Sequence, residues 1–124
     1  MDRLEFEPTA KTPYVLLDPN GKIKFRGRSI PEDVSVFYDQ ILDWIRKYCS
    51  APNPYTEVDV EMEYLNSGTS KYMLKILKVI KELDMKGQDL KINWIYEEGD
   101  DDIMERGEYY ASILDLRIHF IETE

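Results

Sequence analysis

The segment Tyr64-Leu65-Asn66-Ser67-Gly68-Thr69-Ser70-Lys71 gathers hydroxyl side chains at the place where an alternating strand pattern stops and a helical pattern begins. Two chemistries suit such a turn. The structural one makes Ser67 or Thr69 the helix cap, with Gly68 permitting a tight bend. The covalent one makes a hydroxyl here a phosphoacceptor. A phosphate at a helix start meets free backbone N–H groups and a favourable dipole. It also adds about −1.5 to −2 charges to an exposed surface, enough to make or break a protein contact without refolding the domain. On this reading Asn66, Gly68, Thr69 and Ser70 form the turn that presents the acceptor. Lys71 is placed to hold the phosphate or a partner carboxylate.

Other reactive residues are sparse. His119 is the single histidine, and no cysteine or second histidine accompanies it as a metal site or catalytic pair would need. Cys49 falls at the end of a helical pattern with no histidine near it in sequence, which points to packing rather than nucleophilic work. Neither GxxxxGK[ST] nor GxGxxG occurs. The run Glu97-Glu98-Gly99-Asp100-Asp101-Asp102 has carboxylates that a hard cation such as Mg²⁺ or Ca²⁺ favours, but not the spacing of an EF-hand loop. The alternative is a solvated loop whose acids face the positive end of the next helix. Glu57, Asp59, Glu61 and Glu63 line one strand face. Acid–base catalysis needs two carboxylates in unlike surroundings, and these look alike.

Composition narrows the classes further. The chain has 124 residues, enough for one domain with a real core, here residues 1–124. The 25 acidic against 16 basic side chains leave a net charge of −9, which repels nucleic-acid backbones and anionic lipid and favours partners with a basic face. A lone cysteine fits a reducing compartment. No apolar run reaches the roughly 18 residues of a membrane span, and the first residues lack a signal-peptide pattern. The expectation is a cytoplasmic protein without a cofactor.

The elements that must position the turn follow from periodicity. Leu4 to Glu7 and Tyr14 to Leu17 read as short strands. Asp18-Pro19-Asn20-Gly21 is a turn signal. Lys22 to Arg28 alternates, with Lys22, Lys24, Arg26 and Arg28 on one face and Ile23 and Phe25 on the other. Ser29-Ile30-Pro31-Glu32 reads as a helix start, with Ser29 as cap. Val34, Phe37, Ile41, Trp44, Ile45 and Tyr48 then recur at helical spacing. The next strand sets Val58, Val60, Met62 and Tyr64 against its acids. A helix follows the hydroxyl-rich turn to about Lys86, and Gly87 caps it. Leu90 to Tyr96 is a strand, Ile103 to Leu114 a helix weakened by Gly107, and Arg117 to Glu122 a last strand.

Strands separated by helices imply parallel crossovers, and the hairpin adds an antiparallel edge. Burying the charged strand faces under helices would be costly. The expected fold is therefore α/β, a mixed sheet with its helices mainly on one face. The basic ladder of residues 22 to 28 should lie beside the acidic ladder of residues 57 to 63. Opposite-charge neighbours there contribute roughly 0.2–1 kcal/mol each, and like charges would lose as much.

With these residues in hand, the sequence resembles the SiaC family of bacterial regulatory phosphoproteins, whose fold is similar to the STAS domain of anti-sigma factor antagonists. The resemblance runs nearly end to end. It rests on Thr12-Pro13, on Gly27 to Glu32, on Tyr64 to Lys71, and on Lys91-Ile92-Asn93-Trp94-Ile95-Tyr96-Glu97-Glu98. It implies a non-enzymatic partner switch. A dedicated Ser/Thr kinase phosphorylates the strand-to-helix turn and a PP2C-like phosphatase reverses this. The unphosphorylated form binds and activates a diguanylate cyclase, in c-di-GMP signalling and biofilm control. The family's acceptor follows the Asn of a Leu-Asn-Thr-Ser-Ser pattern, which places it on Ser67. The sequence departs from that pattern, with Ser67 where Thr is usual and then Gly68 and Thr69, so Thr69 is the second choice. An anti-sigma factor antagonist with a sigma-controlling partner is the nearest alternative. A metal-dependent enzyme built on residues 97 to 102 is a more distant one. A homodimer would draw on Tyr109 and Tyr110.

Overall fold

The computed structural model describes Met1–Glu124. Strands β1 (Leu4–Phe6), β2 (Tyr14–Asp18) and β3 (Lys22–Ser29) lead into helix α1 (Val34–Ser50). Then β4 (Tyr55–Leu65), α2 (Ser67–Met85), β5 (Asp89–Glu97), α3 (Asp101–Leu114) and β6 (His119–Thr123) follow. The 6 strands lie side by side in chain order. β1, β2 and β3 pair antiparallel, and β3 to β6 pair parallel through the helical crossovers. Helix α1 packs on α2 and α2 on α3. The buried faces of these helices and the inward residues of the strands, among them Val15, Ile23, Phe25, Val58, Val60 and Trp94, form a single core. The sheet thus carries its helices on one face and charges on the other, as its binary pattern required.

The two ladders are neighbours. Lys22, Lys24 and Arg26 register with Glu57, Asp59 and Glu61. Lys22 Nζ lies 2.8 Å from Asp59 Oδ2 and 3.3 Å from Glu57 Oε1. From the other side, the Asn93 amide donates to the same two carboxylates at 2.8 and 3.0 Å. Burial alone would raise the Asp59 pKa, yet the bonds from Lys22 and Asn93 outweigh it and hold the carboxyl below its ordinary value.

Some expectations give way locally. Ser29 does not cap α1. It is the last residue of β3 and fully buried, and the helix starts five residues later at Val34. The residues between run as irregular chain, with Glu32 paired to Lys11. Tyr64 leaves the apolar face that β4's alternation assigns to it. The β3–β4 register slips so that Gly27 faces Met62 while Arg28 faces Tyr64, and Tyr64 is 54% exposed. An extra residue in one strand re-aims the side chains beyond it. Gly107 does not weaken α3. A Cβ there would stand 2.6 Å from the Trp94 indole nitrogen, so glycine is what lets α3 settle onto β5.

The second helix ends as expected of Gly87. Its φ is 73°, its N–H bonds to Asp84 O, and the Gln88 N–H bonds back to Leu83 O. This pairing satisfies the last carbonyls of the helix and reverses the chain towards β5.

Candidate functional site

The hydroxyl-rich turn lies where β4 hands over to α2, at the end of the sheet where β3 also stops. Asn66, rather than Ser67 or Thr69, is the cap. Its Oδ1 accepts the Thr69 N–H at 2.9 Å. Its Nδ2 donates to Pro31 O at 3.1 Å, and its own backbone N–H donates to Ser29 O at 3.0 Å. One residue therefore starts the helix and ties it to the chain leaving β3.

The hydroxyls then divide by environment. Thr69 is 0% exposed. Its Oγ1 lies 2.8 Å from Ser29 Oγ, which lies 2.7 Å from the Tyr38 hydroxyl. This buried chain joins α2, β3 and α1, and burial pushes the Tyr38 hydroxyl up to about 12. Ser70 is half-buried. Its Oγ donates to Asn66 O at 3.1 Å and accepts from Arg106 Nη1 at 2.8 Å, and its carbonyl accepts the Tyr110 hydroxyl at 2.7 Å. Ser67 stands apart. It is exposed and is the first residue of α2. The N–H groups of Ser67 and Gly68 precede the helical ladder, so a charged oxygen beside them finds donors. Gly68 sits inside the helix rather than in a bend, where a Cβ would approach Val34 Cγ1 to 3.1 Å. Lys71 is exposed one turn beyond Ser67.

Arg106 was not legible as part of this site. It arrives from α3, and only the packing of α3 on α2 brings its guanidinium over the first turn. The one sequence trace is its helical spacing with Ile103 and Tyr110, both buried.

The remaining candidates lie elsewhere and do not converge. Cys49 is buried in the core, and burial pushes its thiol up to about 11, away from a reactive thiolate. His119 is exposed on β6. In the acidic run, Asp100 caps α3 by accepting the Ile103 N–H at 3.1 Å, and Asp101 and Asp102 occupy the first turn, where the helix dipole favours them. No group of three or more His, Cys, Asp or Glu side chains is arranged to hold a metal ion. No helix is long and apolar enough to cross a membrane.

Residues 6–123 match the sequence model of the SiaC family of regulatory phosphoproteins. The chain belongs to this family. An uncharacterized protein of Pseudomonas aeruginosa is 26% identical over 111 residues, covering 89% of this chain and 88% of the relative. The crystal structure of apo-SiaC from Pseudomonas aeruginosa superposes with a TM-score of 0.83 at 23% identity, over all of both chains. A chain of the crystal structure of diguanylate cyclase SiaD in complex with its activator SiaC, from the same organism, gives a TM-score of 0.89 at 23% identity, covering 97% of this chain and 99% of that one. These likenesses establish that this SiaC-family chain has the fold of the solved SiaC structures.

Proposed function

We propose that this SiaC-family protein is a non-enzymatic partner switch of the cytoplasm, set by reversible phosphorylation of Ser67. In its unphosphorylated form it binds and activates a diguanylate cyclase. A cognate Ser/Thr kinase adds the phosphate and a PP2C-like phosphatase removes it. The family supports the regulatory role, and the solved complex of a SiaC with SiaD supports the class of partner.

The observation that carries the choice of residue is the division of the hydroxyls. A kinase must reach its acceptor oxygen. Ser67 is exposed at the helix start, whereas Thr69 is sealed in a hydrogen-bonded core and Ser70 is engaged on both sides. Asn66 ties the turn's backbone to the chain leaving β3 through three hydrogen bonds, so modification adds charge at a position fixed in the fold.

The test is to incubate the purified protein with ATP and its kinase and to locate phosphate by mass spectrometry. Phosphate on Ser67, lost in Ser67→Ala, is the expected result. The unphosphorylated protein should raise c-di-GMP synthesis by the cyclase, and the phosphorylated protein should not. Phosphate on Thr69 alone would overturn the choice of acceptor.

A further inference from the structure

Beside the switch turn, the end of β4 and the stretch of α3 from Asp102 to Tyr109 line an open groove of about 600 Å³. Tyr64 and Tyr109 stand in its wall, 54% and 58% exposed. Exposed aromatics are a cost to a free protein, and Tyr64 is there only because the β3–β4 register slips just before it. The rim is strongly acidic. Glu63, Asp102 and Glu105 line it, and the one cation among its lining residues is Arg106, already held on Ser70 Oγ. None of these carboxylates takes part in an intramolecular ion pair.

We propose that this groove is the docking surface for the cyclase, and that the segment it takes carries lysines or arginines around an apolar anchor. The inference rests on the cyclase-partner reading above. Two aromatic walls supply a place to bury an apolar side chain, and aromatic residues are the usual anchors of protein interfaces. An acidic rim with no internal partners selects a basic segment and steers its approach. An acidic segment would meet like charge on nearly every side. The groove also explains how a phosphate at Ser67 is felt. Adding negative charge does not repel a basic partner, so the switch works through Arg106, which reaches both the groove and the first turn of α2. A phosphate that draws this guanidinium away reshapes the groove wall.

The test is titration calorimetry of the unphosphorylated protein against the purified cyclase, at low and high salt. Tyr64→Ser combined with Tyr109→Ser should weaken binding at least tenfold. Glu63→Lys combined with Glu105→Lys should weaken it as much, and the wild-type affinity should fall with salt. Val36→Ser and Met85→Ser, at exposed apolar positions elsewhere (74% and 75%), should bind as wild type. Circular dichroism melts confirm that each variant is folded. If wild type binds and the tyrosine pair binds equally well, the groove is wrong while the cyclase reading stands. If charge reversal strengthens binding, the basic segment is wrong. If wild type itself fails to bind the cyclase, the cyclase reading falls and takes the groove's occupant with it.

Discussion

Ser29 Oγ and Thr69 Oγ1 meet at 2.8 Å inside the core, forty residues apart in sequence. The contact fixes the first turn of α2 against the end of β3, and Tyr38 extends it to α1. Replacing Thr69 with valine keeps the shape but removes an oxygen from a buried chain. The expected cost is about 0.5–1.5 kcal/mol, because a buried hydrogen bond is lost while Ser29 Oγ keeps the Tyr38 hydroxyl as a partner. Urea unfolding of Thr69→Val should show a lowered midpoint with an unchanged slope. Phosphate incorporation at Ser67 should persist in this variant. A midpoint equal to wild type would mean the hydroxyl chain is not what holds the turn.

Gly107→Ala should destabilise the protein although alanine is the better helix former. Its Cβ would fall 2.6 to 2.7 Å from three atoms of the fully buried Trp94 indole. The ring donates through Nε1 to Ile103 O at 2.8 Å, so it cannot move aside without losing that bond. Overpacking of this kind costs about 1–3 kcal/mol. Thermal melts and tryptophan emission, the latter in a Trp44→Phe background that leaves Trp94 as the single emitter, together read the outcome. A raised melting temperature would mean that helix propensity outweighs the clash.

The fold was largely legible because its sheet is patterned twice, by apolar alternation and by opposite charges. The acidic run of β4 and the basic run of β3 made sense only as neighbours with a solvated face, and they register so. What escaped the sequence depends on contacts between distant segments. Ser29 has the residue type and spacing of a helix cap, yet its side chain is claimed by Tyr38 and Thr69. Tyr64 fits the strand's apolar phase, but a slip in the pairing register overrides that phase, and nothing within β4 announces it. Within the turn, the sequence offered several hydroxyls of equal chemistry. Burial separates them, and burial is a property of how α1 and α3 pack against α2. Arg106 belongs to the same class, since its place over Ser70 is set by tertiary packing alone.

The charged sheet face predicts an acid-sensitive contribution to stability. Asp59 is held below its ordinary 3.8, chiefly by Lys22 and Asn93 working against burial. A carboxyl whose folded value is lowered contributes stability above its unfolded value, and the contribution is lost as pH falls through the folded one. The loss therefore falls below about pH 4. In Lys22→Met the Lys22 bond and charge are gone, while burial and the Asn93 bond remain. The Asp59 carboxyl should then titrate at a higher pH, and acid unfolding should begin earlier. Carboxyl carbon shifts followed by NMR would check this. An unmoved Asp59 titration would show that Asn93 alone sustains the shift.

Arg106 should act on the phosphate of Ser67. Its guanidinium donates to Ser70 Oγ at 2.8 Å, and Ser70 lies three residues from Ser67 on the same helix, where side chains are neighbours. Arg106 has no carboxylate partner within ion-pair distance, so its charge is available. A phosphoserine has a second pKa near 6. A cation and the free N–H groups of a helix start both favour the dianion, so in the phosphorylated protein that value should lie below about 6. In Arg106→Gln it should move up, leaving only the helix start to hold it down. The ³¹P resonance of phosphorylated Ser67, followed from pH 4 to 8, reads this directly, and a melt read on the same samples shows whether both are folded. The same variant should also bind the cyclase more nearly alike with and without phosphate, because the group that transmits the charge to the groove is missing. Identical ³¹P titrations in wild type and Arg106→Gln would place the phosphate out of the guanidinium's reach, and the coupling between turn and groove would have to run through the backbone of α2.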